Sequence, residues 1–184
     1  QQIQHAKSRP VGYARESLIW TSSNEALHAK FEALRNELKS SNLIVEMTES
    51  TSPTTDVWST NGGFNWEGKD PNQGVDFPNS GVTYEFGKVI NWEIKEGRDF
   101  SREFATDSAA FILNESAVKF IGFKEPIGQT ITWNDKPYKV IGVVKDMLVQ
   151  SPYQPIRASM YHLSLEQENT LIMKINPKMR ASEA

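Results

Sequence analysis

Residues 111–146 read FILNESAVKFIGFKEPIGQTITWNDKPYKVIGVVKD, and their order of strand, short helix, Pro-Ile-Gly turn and two-strand hairpin decides the fold class. Phe111-Ile112-Leu113 predicts a buried strand. Asn114 falls where a helix N-cap belongs, and Gly122 falls where a left-handed residue would stop that helix. Asn134-Asp135 then divides two runs rich in β-branched and aromatic residues, 129–133 and 138–144, the usual signal for an antiparallel hairpin. The stretch contains no catalytic apparatus.

Working outward, Leu27, Phe31, Leu34 and Leu38 recur at helical spacing between positions 22 and 39, with Ala26, Ala29 and Ala33 widening the stripe. This predicts a surface helix lying on a sheet. Strands are expected before it at 17–20 and after it at 43–48, joined by a right-handed crossover if they are parallel. Residues 160–163 and 170–175 predict two more strands, and 82–86 and 90–94 resume regular structure of either kind. Between 51 and 80 the composition shifts to Ser, Thr, Asn, Gly and Pro, with Asn61-Gly62-Gly63 and Asp70-Pro71-Asn72 as turn signals, so this reads mostly as loop. The expected class is therefore α+β: a porter-like β-α-β unit with an inserted smaller β-rich subdomain. Residues 1–96, including the 51–80 loop, form the first part of the larger unit, 97–150 the insert, and 151–184 the return segment.

The chemistry in the chain is sparse. Trp58, Phe64 and Trp66 in the loop would either pin it to the body or offer a stacking platform to a sugar or a peptide. His5, His28 and His162 are isolated from one another and lack metal-ligand spacing. Gly62-Gly63 lacks the Lys of a phosphate-binding loop, and no Gly-x-Ser-x-Gly elbow occurs. Asp99, Glu103 and Asp107 would be the acid and base of a hydrolase. Their bland reading is a loop in which Gly97 makes the turn, Arg98 and Asp99 are solvated and Phe100 anchors it. Asn114-Glu115-Ser116 matches a glycosylation sequon, but Asn114 is better placed as a helix cap. Asp146 is expected to shape the turn after the hairpin.

Twenty basic and 23 acidic residues leave a net charge of −3, with no basic stripe, which sets nucleic-acid binding aside. Cysteine is absent, so disulfides and thiolate metal sites are excluded. No apolar run approaches the roughly 20 residues that cross a bilayer.

The 111–146 pattern, preceded by Gly97-Arg98-Asp99-Phe100, resembles the periplasmic core domain of MacB-like and FtsX-like permeases of ATP-binding-cassette transporters. Gly-Arg-x-Phe, the strand into Asn-Glu and Ala, the small helix, Pro-Ile-Gly and Gly-Val-Val-x-Asp all occur in the family's order. Residues 9–13, RPVGY, and Ser151-Pro152-Tyr153 look like the version common in Bacteroidetes-type bacteria. The resemblance implies a non-catalytic periplasmic domain of an inner-membrane permease, with no cofactor or metal, that couples ATP-driven motion to export or to the action of periplasmic partners. Its implied partners are a cytoplasmic ATPase, a second permease copy, and an adaptor or outer-membrane channel. It also implies that the chain is an excised fragment whose final helix and strand are trimmed, since 179–184 read as a helix start. Two other classes are a saccharide- or peptide-binding module using the 58–66 loop, and a hydrolase using Asp99 and Asp107.

Overall fold

Residues 17–149 and 155–178 are described by a computed structural model. The expectations for His5, 9–13, 151–153 and 179–184 lie outside them. The first half runs β1 (Leu18–Ser22), α1 (Glu25–Ala29), α2 (Phe31–Ser40), β2 (Ile44–Ser50), β3 (Thr60–Asn61), β4 (Phe64–Trp66), β5 (Phe77–Val82), α3 (Phe86–Ile90) and β6 (Ile94–Gly97). The second half runs from a 3-10 turn (Ala105–Ala109) through β7 (Ala110–Asn114), α4 (Glu115–Ile121), β8 (Thr130–Trp133), β9 (Lys136–Val144), β10 (Met160–Leu163) and β11 (Thr170–Ile175).

The deciding stretch folds as its pattern dictates. All of β7 is buried. Asn114 Oδ1 accepts from Ala117 N at 2.9 Å, and Gly122 ends α4 at φ 87°. Asn134 and Asp135 take φ 49° and 64°, the left-handed pair that a two-residue hairpin turn requires. Asp146 acts as a second cap, accepting from Ser116 N at 2.9 Å and Ser116 Oγ at 2.6 Å.

One mixed sheet connects the elements in the order β1-β11-β2-β5-β10-β7-β9-β8-β4, with β6 beside β9 and β3 beside β5. β11 lies between β1 and β2 and is antiparallel to both, so the two strands flanking the first helices are parallel without touching. The helix expected over 22–39 starts instead at Glu25, because Asn24 caps it and Ser22 is still paired to Thr170 in the sheet. It breaks at Lys30 and resumes as α2, whose Phe31, Leu34 and Leu38 cover Ile44, Met47 and Leu171.

The 51–80 stretch is less of a loop than its composition suggests. β3 pairs with β5 and β4 pairs with β8, so the Gly62-Gly63 link ties one end of the sheet's second half to the other. Phe64 accordingly lies 5.4 Å from Phe77 on β5 and 5.6 Å from Trp133 on β8. β7 separates two cores by strand alternation. Phe111 and Leu113 face Phe64, Phe77, Ile131 and Met160, whereas Ala110 and Ile112 face Phe86, Val89, Ile90 and Tyr161 around α3.

Candidate functional site

Two features distinguish the surface joining the helices to the rest of the body. First, Ile175 N donates to Ser17 O at 2.7 Å, so the chain enters β1 and leaves β11 at the same end of the sheet. Asn176 continues from there to Asn42, donating Nδ2 to its backbone oxygen at 3.1 Å and to Oδ1 at 2.9 Å. The C-terminal end of α2 is thereby fastened to that point.

Second, an ionic bridge runs from α2 across β2 to the segment after β6. Glu46 on β2 is fully buried. It accepts from Arg35 Nε at 2.7 Å, Arg35 Nη2 at 3.0 Å and Lys39 Nζ at 2.7 Å, with Lys88 Nζ at 3.5 Å. Burial alone would raise its pKa, but the hydrogen bonds from Arg35 and Lys39 outweigh it and hold the carboxyl at about 2. Arg102 Nη2 reaches Glu85 Oε1 at 2.7 Å and Glu32 Oε1 at 2.8 Å, and its guanidinium lies over Tyr84. Arg35 closes the circuit to Glu32 at 3.3 Å and to Glu85 at 3.7 Å. Arg35, Glu46, Tyr84, Glu85, Lys88 and Arg102 line an open groove of about 570 Å³.

The segment bearing Arg102 is itself braced. Arg98 grips the fully buried Asp107 through Nη1 at 2.8 Å and Nη2 at 2.6 Å, and Ser101 N donates to Asp107 at 2.9 Å. Burial pushes the Asp107 carboxyl up, and the Arg98 and Ser101 hydrogen bonds bring it below its ordinary value. Asp99 is raised by burial, against hydrogen bonds from Trp92 Nε1 at 2.9 Å and Phe100 N at 2.8 Å. Arg98 and Asp99 are therefore structural groups rather than the solvated pair the sequence suggested, because the turn at Gly97 folds them back onto the body. Phe100 is buried as expected.

The three loop aromatics do not form one platform. Phe64 and Trp66 alternate inward along β4 and are buried, while Trp58 is 46% exposed and meets Trp20 on β1. His28 Nδ1 lies 2.6 Å from the buried Glu49. His162 bonds Asn79 at 2.9 Å and packs against Trp133, and burial pushes its pKa down to about 4. Among the described residues no group of three His, Asp or Glu side chains is placed to hold a metal, and no helix is long and apolar enough to cross a membrane. The ionic bridge escaped sequence reading because its members come from four separated segments. The one local signal was Glu46, a charge inside an apolar strand run.

A family model described as the MacB-like periplasmic core domain matches residues 8–184. The chain belongs to this family. It is thus a periplasmic domain of an ATP-binding-cassette transporter permease, as the Gly-Arg-x-Phe and Pro-Ile-Gly elements imply. The MacB-like fold is seen in the periplasmic region of MacB from Actinobacillus actinomycetemcomitans, at 18% identity and TM-score 0.61, over 94% of this chain and 80% of that one. It is also seen in the extracellular domain of the noncanonic ABC-type transporter YknZ from Gram-positive bacteria, at 17% identity and TM-score 0.54, over 88% and 83% of the two chains. No curated protein matches this chain.

Proposed function

We propose that this MacB-like domain relays motion from the membrane part of its permease into the periplasm and catalyses nothing itself. The observation that carries the reading is the junction of Ser17 with Ile175. Segments leading into β1 and out of β11 would act on one point, and a displacement there reaches β2, α2 and the ionic bridge together. The bridge passes it to Arg102 and the braced 97–107 segment. Ion pairs that share carboxylates have alternative partners, which suits an interface that must hold two arrangements. In this proposal 1–96 and 151–184 form the driven porter-like unit and 97–150 the unit that follows it. An ATPase drives the motion, a second permease copy is its counterpart, and an adaptor or outer-membrane channel receives the output. Asp99 and Asp107 are occupied by backbone and side-chain donors, which favours this reading over a hydrolase.

The test is Arg102→Glu in the whole permease with its ATPase. The expected result is transport reduced at least tenfold with ATP hydrolysis retained, and partial recovery when Glu85→Arg is added. Unchanged transport in the folded Arg102→Glu protein would refute the relay.

A further inference from the structure

Away from the ionic bridge, two indoles stand largely outside the core. Trp20 and Trp58 are 45% and 46% exposed, although large aromatic rings ordinarily gain by burial. Their centroids lie 5.5 Å apart and their planes meet at 80°, which makes a corner with two indole walls. The Trp58 ring is fixed in place. Its Nε1 donates to Asp56 Oδ2 at 3.2 Å and its backbone N donates to Ser52 Oγ at 3.0 Å. Asp56 Oδ1 in turn accepts from Val57 N at 2.7 Å, which holds a carboxylate at the polar rim of the indole.

Indole faces carry the negative end of the ring quadrupole and attract cations, most strongly where more than one ring contributes. A net charge of −3 on the chain acts in the same direction. A sugar would need one open ring face ringed by hydrogen-bonding partners, whereas two walls at 80° suit a compact group with charge spread over N–CH bonds. We propose that the Trp20–Trp58 corner binds an organic ammonium ion, its N–CH groups lying against both indoles. The inference does not depend on the relay described above.

The test uses the 184-residue chain labelled with nitrogen-15, following the indole N–H resonances of its five tryptophans. Three probes are titrated: choline, Nα-acetyl-lysinamide, and 3,3-dimethylbutan-1-ol, the uncharged isostere of choline. The cations should shift two of the five resonances saturably, with the alcohol at least tenfold weaker. Trp20→Leu and Trp58→Leu should each weaken cation binding by roughly fivefold, while unmoved Trp66, Trp92 and Trp133 signals verify the fold. Tighter binding of choline would assign a free quaternary amine as the ligand; tighter binding of the lysinamide would assign a lysyl side chain. An equal response to the alcohol, no saturable shift, or titrations unaltered in both Leu variants would overturn the proposal.

Discussion

Glu46 illustrates how a single charge can be both a burden and a fastening. Its burial is tolerated only because Arg35 and Lys39 occupy both carboxylate oxygens. Arg35→Ala should therefore destabilise the domain by about 3 kcal/mol, measured by urea unfolding, because it strands a buried carboxylate on lysines alone. The pH dependence separates into two windows. Glu46 has a folded pKa of about 2 against an ordinary 4.5, so its contribution is present above 4.5 and disappears as pH falls toward 2. His162 is held neutral by burial, with a folded pKa of about 4 against 6.5. The unfolded chain then binds the extra proton between those values, so stability is full above 6.5 and falls on acidification to 4, by about 3 kcal/mol. Thermal melts of the native chain and His162→Asn across that interval should show the native curve falling and the variant curve flatter. Equal slopes would remove His162 as the cause.

At the scale of elements, α4 is short enough that its caps decide whether it forms. Asn114 Oδ1 serves both Ala117 N and Ser159 N, and its Nδ2 donates to Arg157 O, so this residue ties α4 to the approach to β10. Asn114→Ala should cost about 2 kcal/mol, at the top of the range for caps, and Asp146→Ala about 1 kcal/mol. Chemical denaturation would rank them; a larger loss for Asp146→Ala would mean the Ser116 bonds dominate. Two glycines give a sharper contrast. Both Gly97 and Gly122 have positive φ, but a Cβ at Gly122 meets open space while one at Gly97 meets the backbone oxygen of Ile141. Gly122→Ala should cost about 1 kcal/mol. Gly97→Ala should cost clearly more, because β6 must move away from β9. These elements were legible in the sequence because caps, left-handed stops and hairpin turns act within a few residues. β4 was not legible, since three residues are too few to establish a period of two, and Phe64 and Trp66 became core only when β8 and β5 closed around them.

Across the whole molecule, the relay predicts that the ionic bridge orders α2 more than the apolar contacts beneath it do. Hydrogen exchange should be accelerated in α2 by Arg102→Ala, with the α4 amides unchanged. Exchange that rises equally in both helices would indicate general loosening instead. A double-mutant cycle over Arg102 and Glu85 should yield a coupling of about 1 kcal/mol, modest because Arg102 is more than half exposed.

By itself the sequence determined the α+β class, the strand-helix-hairpin unit of 111–146, the late strands β10 and β11, and the family, because each rests on local geometry or on motifs contiguous in the chain. Only the tertiary structure decided that β11 lies between β1 and β2, that Phe64 and Trp66 belong to the core, and that Trp58 meets Trp20. It alone brought Arg35, Glu46, Glu85 and Arg102 together. Pairings of that kind depend on which distant surfaces meet when apolar strands are buried, and no period or motif along the chain encodes them.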